Sequence, residues 1–289
     1  MEILIQMFSE KQYNRFRTRN LNLRKKMNTV IEVNGINIHY KLEGPENGPA
    51  LVFSNSLGTD LRIWDEVISY LPKNVRILRY DTRGHGLSDC PKSPYSMGSL
   101  VRDIEALMDA FKLKNSLVIG LSIGGQIAQG LAVKRLDLVK AMVLSNTAVK
   151  IGNRQIWEDR ISTVKSSGMK VLTTETMKRW FSNKFFESSK VRIYANMFER
   201  QPEEGYSGCS YAISGTDFYT PTSSLRLPTI AIAGSEDRST PPDLVRETCD
   251  LVPGSKFNLI KGVGHISCVE APKEYATILS DFMKEFGHV

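Results

Sequence analysis

Apolar positions along the chain follow two periods that alternate. Short, nearly unbroken apolar runs at Ala50–Ser54, Arg76–Tyr80, Ser116–Gly120, Lys140–Ser145, Pro228–Gly234 and Lys256–Ile260 predict buried strands. Between them lie segments with helical spacing. Val101, Ile104, Leu107, Met108 and Phe111 predict a helix over Leu100–Phe111, with Ser96 as its N-cap. Gly124–Val133, Pro241–Leu251 and Pro272–Phe286 predict three more. The last places Tyr275, Ile278, Leu279, Phe282, Met283 and Phe286 on one face. Ahead of all these, Thr29–Val33 and Ile36–Lys41 flank Asn34-Gly35, a strong hairpin signal. A hairpin followed by alternating strands and helices implies an α/β chain, with a mostly parallel, doubly wound sheet covered on both faces.

One stretch breaks the alternation. Ala148–Ser224 shows no convincing strand and several helical pieces. Trp157, Ile161 and Val164 recur at helical spacing, and Met177, Trp180 and Phe181 follow. This pattern predicts a helical cap over 148–224, inserted between two parts of one core, 27–147 and 225–289.

Composition adds bounds rather than a function. At 289 residues, 41% hydrophobic and 24% charged, the chain is an ordinary globular one. No run of eighteen apolar residues offers a transmembrane helix. Met1–Phe8 is too short and badly flanked for a signal peptide. The formal charge of +7 invites a nucleic-acid or membrane-surface partner, but its distribution argues against both. Residues 1–26 carry Lys11, Arg15, Arg17, Arg19, Arg24, Lys25 and Lys26 against Glu2 and Glu10, and so hold +5 of the total. That segment reads as a basic extension outside the core, or as sequence upstream of an alternative start at Met27. Cys90, Cys209, Cys249 and Cys268 are scattered and match no zinc spacing, as suits a reducing, cytoplasmic compartment.

Candidate chemistry begins at Gly120-Leu121-Ser122-Ile123-Gly124, a G-x-S-x-G motif between a predicted strand and a predicted helix. A serine on such a turn has a strained backbone and presents its hydroxyl above the sheet edge. The motif alone is common, and a Gly-rich turn that merely packs is the competing reading. A serine nucleophile needs a base. In this architecture the order is serine, acid, then histidine after the final strand. His39, His85, His265 and His288 are the four histidines, and only His265, in Gly262-Val263-Gly264-His265, satisfies that order. His85 reads as structural, fixing the turn beside the site. The orienting acid belongs after the preceding strand, in Gly234-Ser235-Glu236-Asp237-Arg238, where Asp237 is the natural candidate and Glu236 the alternative. Two amides should hold an oxyanion. Ile123 supplies one, and Leu57, in Asn55-Ser56-Leu57-Gly58, is the candidate for the other.

These residues resemble the α/β-hydrolase family and, within it, the 3-oxoadipate enol-lactonases. The resemblance runs from about Ile31 to Phe286. It rests on Ser54-Asn55-Ser56-Leu57-Gly58-Thr59-Asp60 through Trp64, on Arg79-Tyr80-Asp81-Thr82-Arg83-Gly84-His85-Gly86, on Pro94-Tyr95-Ser96, on the serine motif, and on Asn146-Thr147-Ala148 running to Ile151-Gly152. Arg179-Trp180-Phe181, Gly205-Tyr206 and Thr240-Pro241-Pro242 complete it. Ile123 departs from it where methionine is frequent, and Gly262-Val263-Gly264 replaces an alanine-rich loop. The resemblance implies a serine hydrolase acting on a small anionic lactone or ester, with no metal or organic cofactor. The substrate carboxylate then wants cations within an apolar pocket. The cap offers Arg160, Arg179 and Arg192, with Trp157, Trp180 and Tyr206 as walls, although these could equally be solvated helix faces and cap core. Other small-ester or carbon–carbon bond hydrolases, cofactor-free haloperoxidases and non-catalytic receptors share the fold, so the motif does not separate them.

Overall fold

The computed structural model describes residues 29–289. The reading of 1–26 as a separate basic extension lies outside the described residues. Eight strands form one sheet in the order β1-β2-β4-β3-β5-β6-β7-β8. β1 (Val30–Val33) and β2 (Ile36–Glu43) make the hairpin predicted at Asn34-Gly35, where both turn residues have positive φ. β2 pairs antiparallel with β4 (Arg76–Tyr80). From there β3 (Ala50–Ser54), β5 (Ser116–Leu121), β6 (Val139–Ser145), β7 (Thr229–Gly234) and β8 (Lys256–Ile260) run parallel. β3, β5 and β7 are buried along their whole length, which requires cover on both faces and explains why they read as apolar runs.

The covering helices are α1 (Asp65–Tyr70), α2 (Met97–Ala110) and α3 (Ile123–Lys134). α2 opens one residue after Ser96, which builds a reciprocal capping box with Ser99 and so starts the helix three residues earlier than its apolar stripe suggests. Between β6 and β7 the chain runs through six helices and no strand. They are α4 (Arg154–Ser167), α5 (Thr173–Trp180), α6 (Asn183–Phe186), α7 (Val191–Glu199), α8 (Glu203–Ser214) and α9 (Tyr219–Ser223). After β7 come α10 (Pro242–Asp250), α11 (Ser267–Glu270) and α12 (Pro272–Glu285).

The core continues into the inserted helices. Trp180 meets Phe198 edge-to-face at 5.6 Å between centroids, and Phe198 meets Tyr206 at 5.5 Å. Such pairs add roughly 0.5–1.5 kcal/mol each beyond simple burial. Below them, fully buried Trp64 packs on Phe53 and Tyr275, joining the helix layer to β3. Among the described residues no helix is long and apolar enough to cross a membrane.

Candidate active site

The parallel strands all point the same way, so the loops at their C-terminal ends converge. Ser122 leaves β5 and enters α3 with φ 59° and ψ −119°, a strained conformation for a residue bearing a Cβ. Its amide donates to Ser145 O (3.0 Å) and its carbonyl accepts from Thr147 Oγ1 (2.6 Å), so the turn is held from the neighbouring strand. The glycines around it are required by close approach. A Cβ on Gly120 would lie 2.2 Å from Gly124 O, and one on Gly124 would lie 2.2 Å from Ser54 O.

Two loops bring the candidate acid and base together. Asp237, after β7, accepts at Oδ2 from His265 Nδ1 (2.9 Å), Asn146 Nδ2 (2.9 Å) and Thr240 Oγ1 (2.9 Å). Its Oδ1 accepts from the amides of Ser239 (2.7 Å) and Thr240 (3.0 Å). Burial alone would raise its pKa, but the His265 charge and the hydrogen bonds from His265, Asn146 and Thr240 outweigh it and hold the carboxyl below the ordinary range. The bond at Nδ1 leaves His265 Nε2 as the free ring nitrogen. Glu236, the alternative acid, forms no hydrogen bond or ion pair with His265 among the described residues; its amide donates to Val263 O (2.8 Å).

The loop after β3 is fastened at several points. Asn55 Nδ2 donates to Tyr80 O (2.7 Å), and Trp64 Nε1 donates to Asn55 Oδ1 (2.8 Å). Ser56 O accepts from Thr59 N at 3.2 Å and from Thr59 Oγ1 at 2.8 Å. Gly58 N donates to His85 Nε2 (3.0 Å). No group among the described residues accepts a hydrogen bond from the amides of Leu57 or Ile123, which leaves two fixed donors beside Ser122. His85 therefore occupies the structural place expected of it. Accepting from Gly58, it must carry its proton on Nδ1, which donates to Arg83 O (3.3 Å), and full burial lowers its pKa. His39 bonds Asp81 and His288 bonds Ala50 O, both away from the site.

A cavity of about 240 Å³ lies between the strand ends and the inserted helices. Ser122, His265 and Leu57 line it, and so do Trp157, Arg160, Arg179, Trp180 and Tyr206. Five of the six cap residues singled out from the sequence thus reach one cavity. Arg192 does not; it sits exposed on α7. Arg160 donates through Nε to Tyr206 Oη and through Nη2 to Thr176 Oγ1 (2.8 Å). Arg179 has a buried Nε with no partner. Its own burial and the nearby Arg160 guanidinium lower its pKa, though a guanidinium stays charged. Among the described residues no carboxylate forms an ion pair with either arginine. Two half-buried cations thus lie side by side without a counter-ion, a corner of uncompensated positive charge.

Sequence reasoning missed four contributors. Asn146, with φ 44°, holds Asp237 across a separation of 91 residues. Arg238, exposed beside Asp237, lines the cavity and donates to Lys178 O (3.1 Å) and Asn183 Oδ1 (3.0 Å). Thr240 bonds both members of the acid–base pair. Glu270 accepts from Gly264 N (2.7 Å). The one available signal was position: Arg238 and Thr240 share the acid's loop, and Asn146 follows β6 as Asp237 follows β7.

A family model described as the alpha/beta hydrolase fold matches residues 49–165. The chain is 32% identical to 3-oxoadipate enol-lactonase 2 of Acinetobacter baylyi over 252 residues, which covers 86% of this chain and 94% of that relative. Among solved structures, the enol-lactonase from Burkholderia xenovorans LB400 superposes with a TM-score of 0.85 at 33% identity, covering 88% of this chain and 99% of that one. More distantly, a non-heme chloroperoxidase of Streptomyces lividans is 24% identical over 259 residues, spanning 83% of this chain and 93% of that relative.

Proposed function

The chain belongs to the α/β-hydrolase family, and on that footing we propose that it is a serine hydrolase that opens 3-oxoadipate enol-lactone to 3-oxoadipate, a step of aromatic catabolism in the cytoplasm. The observation that carries this reading is the shared cavity: Ser122, the Asp237-bonded His265 and the unpaired Arg160–Arg179 corner line one small space. At about 240 Å³ it is below the ~300–1,000 Å³ of drug-sized sites and suits a compact substrate. The moderate identity to two Acinetobacter baylyi enol-lactonases, 32% and 31%, supports the choice of substrate.

The proposed steps are supported by the Asp237–His265 bond and the cavity that Ser122 and His265 share. His265 Nε2 takes the Ser122 hydroxyl proton as Oγ attacks the lactone carbonyl. The Leu57 and Ile123 amides hold the oxyanion. The ring C–O bond then breaks, the His265 imidazolium gives its Nε2 proton to the departing enolate, and the enol tautomerises to the ketone, which makes reclosure unfavourable. Water, deprotonated by His265, attacks the acyl-serine and releases the dicarboxylate. Asp237 keeps the Nδ1 tautomer and stabilises the imidazolium. The Arg160–Arg179 corner holds the carboxylate of the acetate arm.

Paired rate measurements on 3-oxoadipate enol-lactone and p-nitrophenyl acetate test the reading. The expected result is kcat/KM larger for the lactone by at least on the order of a hundredfold, because only the lactone engages the arginine corner. Equal values for both substrates would replace it with a general carboxylesterase.

A further inference from the structure

Glu270 ends α11, five residues after His265, and points its carboxylate between two regions. Oε1 accepts from Gly264 N (2.7 Å), the amide preceding His265. Both oxygens accept from Ser182 N (3.2 Å each), and Oε2 accepts from Ser182 Oγ (2.5 Å). Ser182 in turn caps α6 through Phe185 N (3.3 Å) and lies two residues after Trp180, which with Arg179 lines the cavity. The two segments touch without room for a side chain: Ile266 N donates to Trp180 O (3.2 Å), and a Cβ on Gly264 would lie 2.5 Å from Trp180 O. The other end of α11 braces the acid, since Ser267 Oγ donates to Asn146 Oδ1 (2.7 Å) and Asn146 donates to Asp237.

We infer that Glu270 is a positioning residue that locks the His265 loop to the substrate-binding wall at Arg179–Ser182, so that base and bound substrate keep one register. The inference rests on the serine-hydrolase reading above. Trp180 and His265 lie 85 positions apart in the chain, so local connectivity does not set their spacing; the Glu270 bridge does so together with the direct Ile266–Trp180 bond. Three donors, Gly264 N, Ser182 Oγ and Ser182 N shared between both oxygens, meet on this one carboxylate and fix both segments at once. Displacing a base by a fraction of an ångström lowers turnover without removing the binding groups.

The test uses the full chain and four variants, Glu270→Ala, Glu270→Gln, Ser182→Ala and Glu270→Ala with Ser182→Ala. Active sites are first counted by fluorophosphonate labelling of Ser122, and kcat and KM are then measured per labelled site on 3-oxoadipate enol-lactone, which engages the wall, with p-nitrophenyl acetate in parallel. The expected result for Glu270→Ala is a fall in kcat on the order of tenfold or more with KM within about twofold. Ser182→Ala falls less, and the double variant falls no further than Glu270→Ala, because both break one bridge. Glu270→Gln keeps an acceptor for Gly264 but sets an NH2 against Ser182, and lands between; should Glu270→Ala not fold, Glu270→Gln and Ser182→Ala carry the same comparison. Unchanged kcat per labelled site with only a lower Tm would overturn the proposal, as would effects of Glu270 and Ser182 that simply multiply. Wild type that resists labelling would instead overturn the serine-hydrolase reading, and this role with it.

Discussion

The strand-end scaffold and the inserted helices build the same cavity by different means. On the scaffold, each candidate group is fixed through backbone or short side chains. Ser122 is set by a turn that tolerates no Cβ on Gly120 or Gly124, and Asp237 by five hydrogen bonds from four residues. The inserted helices contribute long side chains on exposed or half-exposed helix faces: Trp157, Arg160 and Arg179 reach the cavity from α4 and α5. A rigid scaffold preserves a reaction; a wall of long side chains can change what reacts without disturbing it.

Substitutions that break the comparison should therefore separate by region. The largest effects belong to the scaffold. His265→Ala should lower kcat on the order of 10⁶-fold, and combining it with Ser122→Ala should cost little more, because the two act as a unit. Steady-state assays of both single and double variants, with Tm held near wild type, check this. Asp237→Asn should lower kcat on the order of 10⁴-fold by losing the proper His265 tautomer, while Glu236→Gln stays close to wild type. Comparable losses in those two variants would move the acid to Glu236.

On the helical side the expected change is smaller and appears in a different constant. Arg179→Met should raise KM for the anionic lactone on the order of ten- to a hundredfold, the worth of one charge-assisted hydrogen bond. Turnover of p-nitrophenyl acetate should hold. Parallel kinetics on both substrates read this out, and an equal loss on the neutral ester would make Arg179 a structural residue.

The smallest effect concerns stability. Burial keeps His85 neutral in the folded protein, with its pKa below the ordinary value near 6.5. A depressed folded pKa means that the unfolded chain binds the proton first, so this contribution is complete above about pH 6.5 and declines as pH falls below it. Asp237, also depressed, adds a second decline below about pH 4. Thermal melts between pH 7.5 and 5 should show Tm falling, less steeply in His85→Gln, whose amide oxygen can still accept from Gly58. An identical slope in that variant would place the acid sensitivity elsewhere, His288 being the other histidine lowered by burial.

Much of the scaffold was legible because its rules are local. Buried parallel strands are apolar runs, Ser96 announces a helix start, and the candidate serine, acid and histidine come in the chain order expected of this architecture. Residues whose roles depend on distant partners were not legible. Asn146 reads as a loop residue until Asp237 is seen beside it, and Glu270 as a helix-end carboxylate until Ser182, 88 residues away, is. In the inserted region, short helices such as α6 and α9 carry too few residues to show a period, so helix phase stayed open. Arg160 and Arg179 turn inward while Arg192, of the same type and in the same region, turns to solvent.

The central claim is that Ser122 opens the lactone ring through an acyl-enzyme. Product analysis after incubating 3-oxoadipate enol-lactone with wild type and with Ser122→Ala tests it most directly. Wild type should form 3-oxoadipate far faster than the spontaneous reaction, and Ser122→Ala only at the spontaneous rate. A Ser122→Ala protein that still converts the lactone near the wild-type rate would contradict it.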